Sequence, residues 1–294
     1  RLLLERGHKV ITLSHLPAHD LDLSEDYPNL YWPFGQHILS GAKLVAHHPN
    51  LYAVYLTNHG CGPDTMLSYL FRKEMGDKPY LQIEVDEHFS PVGVITRIEA
   101  FLQSLEGRPA QPLPAGFSLT SVVHRPTAVA AVPERTGGPL LVPDLPPFTA
   151  YLRAYCEAAW ETETRTLRLD STTLPLGRAE TSSKEYLPFP ALLGGVLTAA
   201  EAESGPFQVL LPSTQGAEAD GQYPWGVETV LERQGLCRVK VIAPELETLP
   251  ERCPEPDLLF RAFLVGDLLL CAPPEQRDAL APAGVPGWAE LETL

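Results

Sequence analysis

A chain of 294 residues, 44% hydrophobic and 20% charged, has the make-up of a globular protein and is long enough for two compact cores. Its net charge of −15, most of it beyond residue 124, repels phosphodiester backbones, and no basic patch offsets it, which argues against a nucleic-acid partner. No run approaches the roughly 20 apolar residues of a spanning helix, so no membrane partner is expected, and five widely separated cysteines suit a reducing, cytoplasmic compartment.

The chain opens on Arg1 rather than Met, and Leu2-Leu3-Leu4-Glu5-Arg6-Gly7 reads as the end of an amphipathic helix running into a strand. The expectation is a start inside a domain, with no signal peptide. Val10-Ile11-Thr12-Leu13 reads as the first strand, and an irregular acidic loop leads to a helix over 33–45. Leu51–Leu56 is a second strand, Pro63 opens a helix running to Met75, Tyr80–Val85 is a third strand, and a helix follows over 92–105. This alternation predicts a first α/β domain over 1–106 with a parallel sheet.

Gly107, Pro109, Pro112, Pro114 and Gly116 mark 107–118 as a linker, and 119–294 reads as a second α/β domain with a C-terminal helix and tail. Its strands are expected at 139–142, 164–169, 207–211 and 238–242, and its helices at 148–161, 184–202, 223–235 and 257–270. The fold class is therefore α/β, with two Rossmann-like open parallel sheets packed around an interdomain cleft.

Ligands of an open parallel sheet bind beyond the carboxyl ends of its strands. In the first domain that rule selects Thr57-Asn58-His59-Gly60-Cys61-Gly62-Pro63-Asp64 and Asp86-Glu87-His88-Phe89-Ser90, so His59, Cys61, Asp64, Asp86, Glu87 and His88 gather on one edge if the two strands are neighbours. Cys61, between glycines at a helix start, is placed for a thiolate that ligates a metal or acts as a nucleophile with His59 or His88 as base. The plainer reading is a tight turn at Cys61, solvated or capping histidines, and Asp86-Glu87 as a helix cap. Gly177 to Lys184 is not a phosphate loop, because Glu185 follows the lysine. Cys156, Cys237, Cys253 and Cys271 lack C-x-x-C spacing, and Cys156 and Cys271 sit in apolar helical patterns as packing residues.

Four stretches in order, Asn29–Gln36, Asn50–Asp64, Lys78–His88 and Gly93–Leu102, closely resemble the dehydratase-like half (2-hydroxyglutaryl-CoA dehydratase component-like) of the large fused acyl-CoA dehydratase activases, related to 2-hydroxyacyl-CoA dehydratases and benzoyl-CoA reductases. Thr181-Ser182-Ser183-Lys184-Glu185-Tyr186-Leu187-Pro188 is similar to the family's T-S-G-K-E-C-x-P, and Gln215–Tyr223 to its E-G-P-C-R-F-G-Q-Y. The resemblance implies a 4Fe–4S cluster held by three cysteines between two domains, an actin-like ATPase domain in the same or another chain, and an acyl-CoA substrate. Cys61 matches the first ligand position, but Tyr186 and Glu218 occupy the other two, and Ala219 and Ser183 replace the motif's arginine and glycine. The expectation is a degenerate dehydratase-like module, a partner-binding or scaffold part of a larger redox ATPase. The alternative is an iron–sulfur electron carrier or dehydratase-type enzyme that keeps Cys61 as a ligand.

Overall fold

The computed structural model describes residues 2–273 apart from 59, 87, 89, 114, 116, 119–128, 136, 183, 215–218, 246–248, 250–255 and 272, and the backbone alone of 19, 20, 256, 258, 259, 268 and 269. The protein is mixed α/β with two parallel sheets, in two compact units. Unit 1 comprises Arg1–Pro126 together with Ser182–Tyr186 and Gly216–Gln222; unit 2 comprises Thr127–Thr181, Leu187–Gln215 and Tyr223–Leu294. The proline- and glycine-rich 107–118 stretch falls within unit 1, where Asn50 and Gln111 exchange two hydrogen bonds of 2.8 Å.

In unit 1 the elements are α1 (Leu2–Glu5), α2 (Pro33–His47), β1 (Val54–Asn58), α3 (Gly62–Met75), β2 (Leu81–Val85) and α4 (Pro91–Leu105), with 3-10 turns at Leu13–His15 and Pro17–Asp20. Proline opens α2, α3 and α4, in the first turn where its missing N–H costs nothing. The Gly76 backbone, at φ +53°, closes α3 by donating to the Arg72 and Lys73 carbonyls. Lys78 places its ammonium on the last carbonyls of α2, 2.6 Å from Val45 O and also against His48 O, where a cation complements the helix dipole.

β1 and β2 are parallel in the register Val54↔Leu81 to Asn58↔Val85. Tyr55 stacks on Phe71 of α3 at 4.4 Å, while α2 and α3 pack on each other and bury Leu39, Leu44, Met66 and Leu70. A buried ion pair joins Lys43 to Asp26 at 2.6 Å, and Tyr27 donates to Glu74 nearby in the chain fold.

The strand expected at Val10–Leu13 is not formed. Among the described residues no ladder partner lies beside it; Leu13 instead opens a 3-10 turn and packs on α2 at Gly41, where a Cβ would overlap its Cδ1. Among the described residues the sheet of unit 1 accordingly has two strands.

Unit 2 holds β3 (Leu140–Pro143), α5 (Phe148–Trp160), β4 (Thr164–Leu167), α6 (Leu174–Glu180), α7 (Pro188–Ala202), β5 (Phe207–Leu210), α8 (Tyr223–Arg233), β6 (Val239–Ile242) and α9 (Pro256–Cys271). Its four parallel strands run in the order β4-β3-β5-β6. The central strands β3 and β5 are buried along their whole length, which is why they read as continuous apolar runs rather than alternating ones. Leu140, Val142, Tyr155, Cys156, Leu210 and Ile242 form the core beneath them.

Two expectations change in unit 2. The helix expected from 184 starts at Pro188, and α6, unforeseen because Pro175 and Gly177 break its pattern, packs across α7 at Gly177 and Gly194. Cys156 is buried as expected, but Cys271 is exposed because its turn of α9 faces solvent.

Candidate functional site

The carboxyl ends of β1 and β2 lie side by side, and residues 182–186 and 216–222 fold into the same unit. Thr57 and Glu84 stand opposite each other in the ladder and point to one face. Lys184 joins both: its ammonium donates to Thr57 Oγ1 at 2.8 Å and to Asn58 O at 3.3 Å, and lies 3.4 Å from Glu84 Oε1. The Lys184 side chain is 10% exposed, so its charge depends on these partners more than on water.

The loop after β1 is closed by Asp64, in the first turn of α3. Its Oδ2 accepts the Asn58 N–H at 2.7 Å and its Oδ1 the Tyr55 hydroxyl at 3.4 Å. Burial, then the Asp64 charge, holds the Tyr55 phenol well above its ordinary pKa, so it remains a donor to that carboxylate. Gly60 has φ +67°, a conformation glycine adopts freely, and the Cys61 carbonyl accepts the Thr65 N–H at 3.3 Å as α3 begins. Cys61 is partly buried at the helix N-cap, and its thiol is hydrogen-bonded to no described residue.

The next chain segment reaches this loop. A Cβ on Gly62 would lie 3.4 Å from the Tyr186 hydroxyl, so the glycine leaves room for the phenol beside Cys61. Close by, Glu185 Oε2 accepts from Ser182 N at 2.8 Å and Ser182 Oγ at 2.6 Å, and the Lys184 N–H donates to Ser182 Oγ at 3.1 Å. Glu185 Oε1 and both amide atoms of Gln222 are buried without a hydrogen-bond partner among the described residues.

The structure therefore brings Cys61, Asp64, Lys184 and Tyr186 into one neighbourhood. Asp86 is not the cap of α4: its Oδ1 accepts the His88 N–H at 2.9 Å, and Ser90 takes the N-cap position. His88 is exposed. His59, Glu87 and Glu218 lie outside the described residues. Thr57 stands at the head of the loop selected from the sequence, but Glu84, Glu185 and Gln222 are not singled out there as site residues; a signal for Glu84 is its place two residues before Asp86, and for Glu185 its place three residues after Ser182.

Iron–sulfur cubanes are held chiefly by several thiolates. Cys61 is the one thiol among the three matching positions, with Tyr186 a phenol and Glu218 a carboxylate, so this donor set does not fit such a cluster. Among the described residues no three His, Cys, Asp or Glu side chains gather as a metal site requires. What the site offers is an ordered cation, a carboxylate, a phenol and a thiol at the end of a parallel sheet. Comparison with protein-family models, curated proteins and solved structures found no match.

Proposed function

We propose that the chain is a degenerate dehydratase-like module of an acyl-CoA dehydratase activase system, Rossmann-like in both sheets, that serves a larger cytoplasmic redox ATPase as a partner-binding or scaffold part. One observation carries this reading. The Cys61 loop, 182–186 and 216–222, the three segments that resemble the family's cluster loops, belong to one compact unit although long stretches of chain separate them. Their donor set meanwhile has lost two of three thiols.

On this reading Lys184, through Thr57, Asn58 and Glu84, holds the 182–186 segment against the sheet end without metal. The retained arrangement is a docking surface for an actin-like ATPase domain, in the same chain or another, and acyl-CoA recognition is a secondary expectation of the same resemblance.

Anaerobic reconstitution with iron and sulfide tests the reading. The expected product binds far less than one iron per chain and co-elutes with an actin-like activase ATPase domain on gel filtration. A protein carrying about four irons and matching acid-labile sulfide, lost in Cys61→Ala, would restore the alternative, an iron–sulfur electron carrier or 2-hydroxyacyl-CoA dehydratase-type enzyme with Cys61 as a ligand. Absence of any complex with the ATPase domain would sink the scaffold role.

A further inference from the structure

Two stretches of backbone in unit 1 border one groove, and each holds groups that no described residue pairs. β1 pairs with β2 alone among the described residues. The Leu81 N–H donates to Ala53 O at 2.9 Å, and successive residues of a strand direct their N–H and C=O to alternate sides. Tyr55 and Thr57 therefore bond β2, whereas Val54 and Leu56 present theirs to the open side. The second stretch is Lys9-Val10-Ile11, which makes no backbone hydrogen bond to any described residue.

Between them runs an apolar groove of about 290 Å³ along the β1 edge, lined by Ile38 and Val45 of α2, by Val54 and Leu56, and by Ile11 and Leu13 themselves. Ile11 is 52% exposed and Leu56 64%, so apolar surface stays wet on both sides of the groove. Leu13 is fixed against α2 at Gly41, which tethers the segment within reach of the edge.

We propose that Lys9–Thr12 is a strap that docks onto this edge as a third, parallel strand and closes the groove, in exchange with the open arrangement seen here. Several observations select this occupant. Val10, Ile11 and Thr12 are β-branched residues suited to a pleated ladder. The chain between them and β1 includes α2, the helical crossover that a parallel pair requires. Successive right-handed crossovers that step one way along a sheet put their helices on the same face, and α2 and α3 do pack on each other. Docking would satisfy the open N–H and C=O groups of Val54 and Leu56 and cover Ile11. It would also pin the strand whose end, Thr57 and Asn58, holds Lys184, so the strap is a mechanical input to the candidate site.

Residue-resolved amide hydrogen exchange on the full chain tests this. In the wild type, the Val54 and Leu56 amides should exchange at least about 10-fold more slowly than unstructured amides. Because adjacent strap residues point to opposite sides, one of Val10→Pro and Ile11→Pro must remove a donor facing β1, and that variant should release the protection at Val54 and Leu56 while Tyr55 and Thr57 stay protected by β2. Ile11→Gly, which keeps the N–H and weakens the strand, reads the same loss in part if a proline variant unfolds the unit. The proposal is overturned if Val54 and Leu56 exchange freely in the wild type, or if no strap variant changes them. Protection that disappears on dilution together with a dimeric mass would assign the edge to a second copy instead.

Discussion

Glu228 provides a quantitative test of the packing in unit 2. It stands half-buried on α8, one turn before Glu232 and beside Lys240 of β6, and its Oε2 is buried with no hydrogen-bond partner among the described residues. Burial, then the Glu232 charge, pushes its carboxyl from 4.5 up to about 7, against a backbone hydrogen bond at Val241 and the Lys240 charge. Between those two values the folded protein holds a proton that the unfolded chain has released. Stability therefore falls as pH rises through the window, and the whole penalty is present above 7. The unscreened shift corresponds to about 3.4 kcal/mol, which partial solvent access cuts to about 1–2 kcal/mol. Glu228→Gln should equal the wild type near pH 4.5 and exceed it above pH 7 by that amount, or roughly 3–6 °C in Tm. Urea unfolding of both proteins between pH 4.5 and 8.5 gives the difference directly. A difference that stays constant with pH, or a variant less stable above pH 7, would refute the burial of this carboxylate.

Two further outcomes follow from unit 2. Gly177→Ala would drive a Cβ into the Pro190 carbonyl and the Gly194 amide, backbone atoms that cannot swing aside, and should cost about 3 kcal/mol or more, whereas Gly205→Ala, which meets open space, should change stability by less than about 0.5 kcal/mol; near-equal effects would contradict the close crossing of α6 and α7. The Cys156 thiol is pushed up to about 12, by burial first and then by Glu157, so a thiol-specific reagent should modify the exposed Cys237 and Cys271 at once and reach Cys156 only on unfolding. Rapid modification of Cys156 in the native protein would remove it from the core.

Where local chemistry decides structure, the sequence is a good guide. Apolar runs bounded by Gly138-Pro139 and Pro206 mark β3 and β5, and Pro33, Pro63 and Pro91 mark helix starts, because a buried parallel strand and a first helical turn each constrain their own residues. Val10–Leu13 shows the limit. Its residues favour a strand, but a strand exists only with a partner, and here the Leu13–Gly41 contact holds the chain to a helix. α6 was hidden for the opposite reason: Pro175 and Gly177 look like breakers, yet the proline occupies the first turn and the glycine is what lets α7 approach.

The candidate site divides in the same way. Cys61 and Asp64 stand out in a glycine-flanked loop after a strand. The partnership of Lys184 with Thr57 and Glu84 joins residues about a hundred positions apart, and no local pattern announces it. The rule that looks beyond the strand end selects Asp86, whereas the residue that meets the lysine, Glu84, is still inside the ladder.

The interrupted layout of unit 1 bears on how the protein is made. Its first 126 residues leave the ribosome as a continuous piece, but Lys184 is translated well after them and Gln222 later still. At about 5–20 residues per second, the finished ends of β1 and β2 wait several seconds for the side chain that ties them to 182–186. During that interval the nascent Cys61 loop lacks the cation bound at Thr57 and Asn58, and Glu84 has only its other neighbours. A chain stalled after residue 150 should therefore display a β1–β2 unit whose Thr57 and Asn58 are more accessible than in the finished protein, and completing the site awaits the synthesis of residue 184.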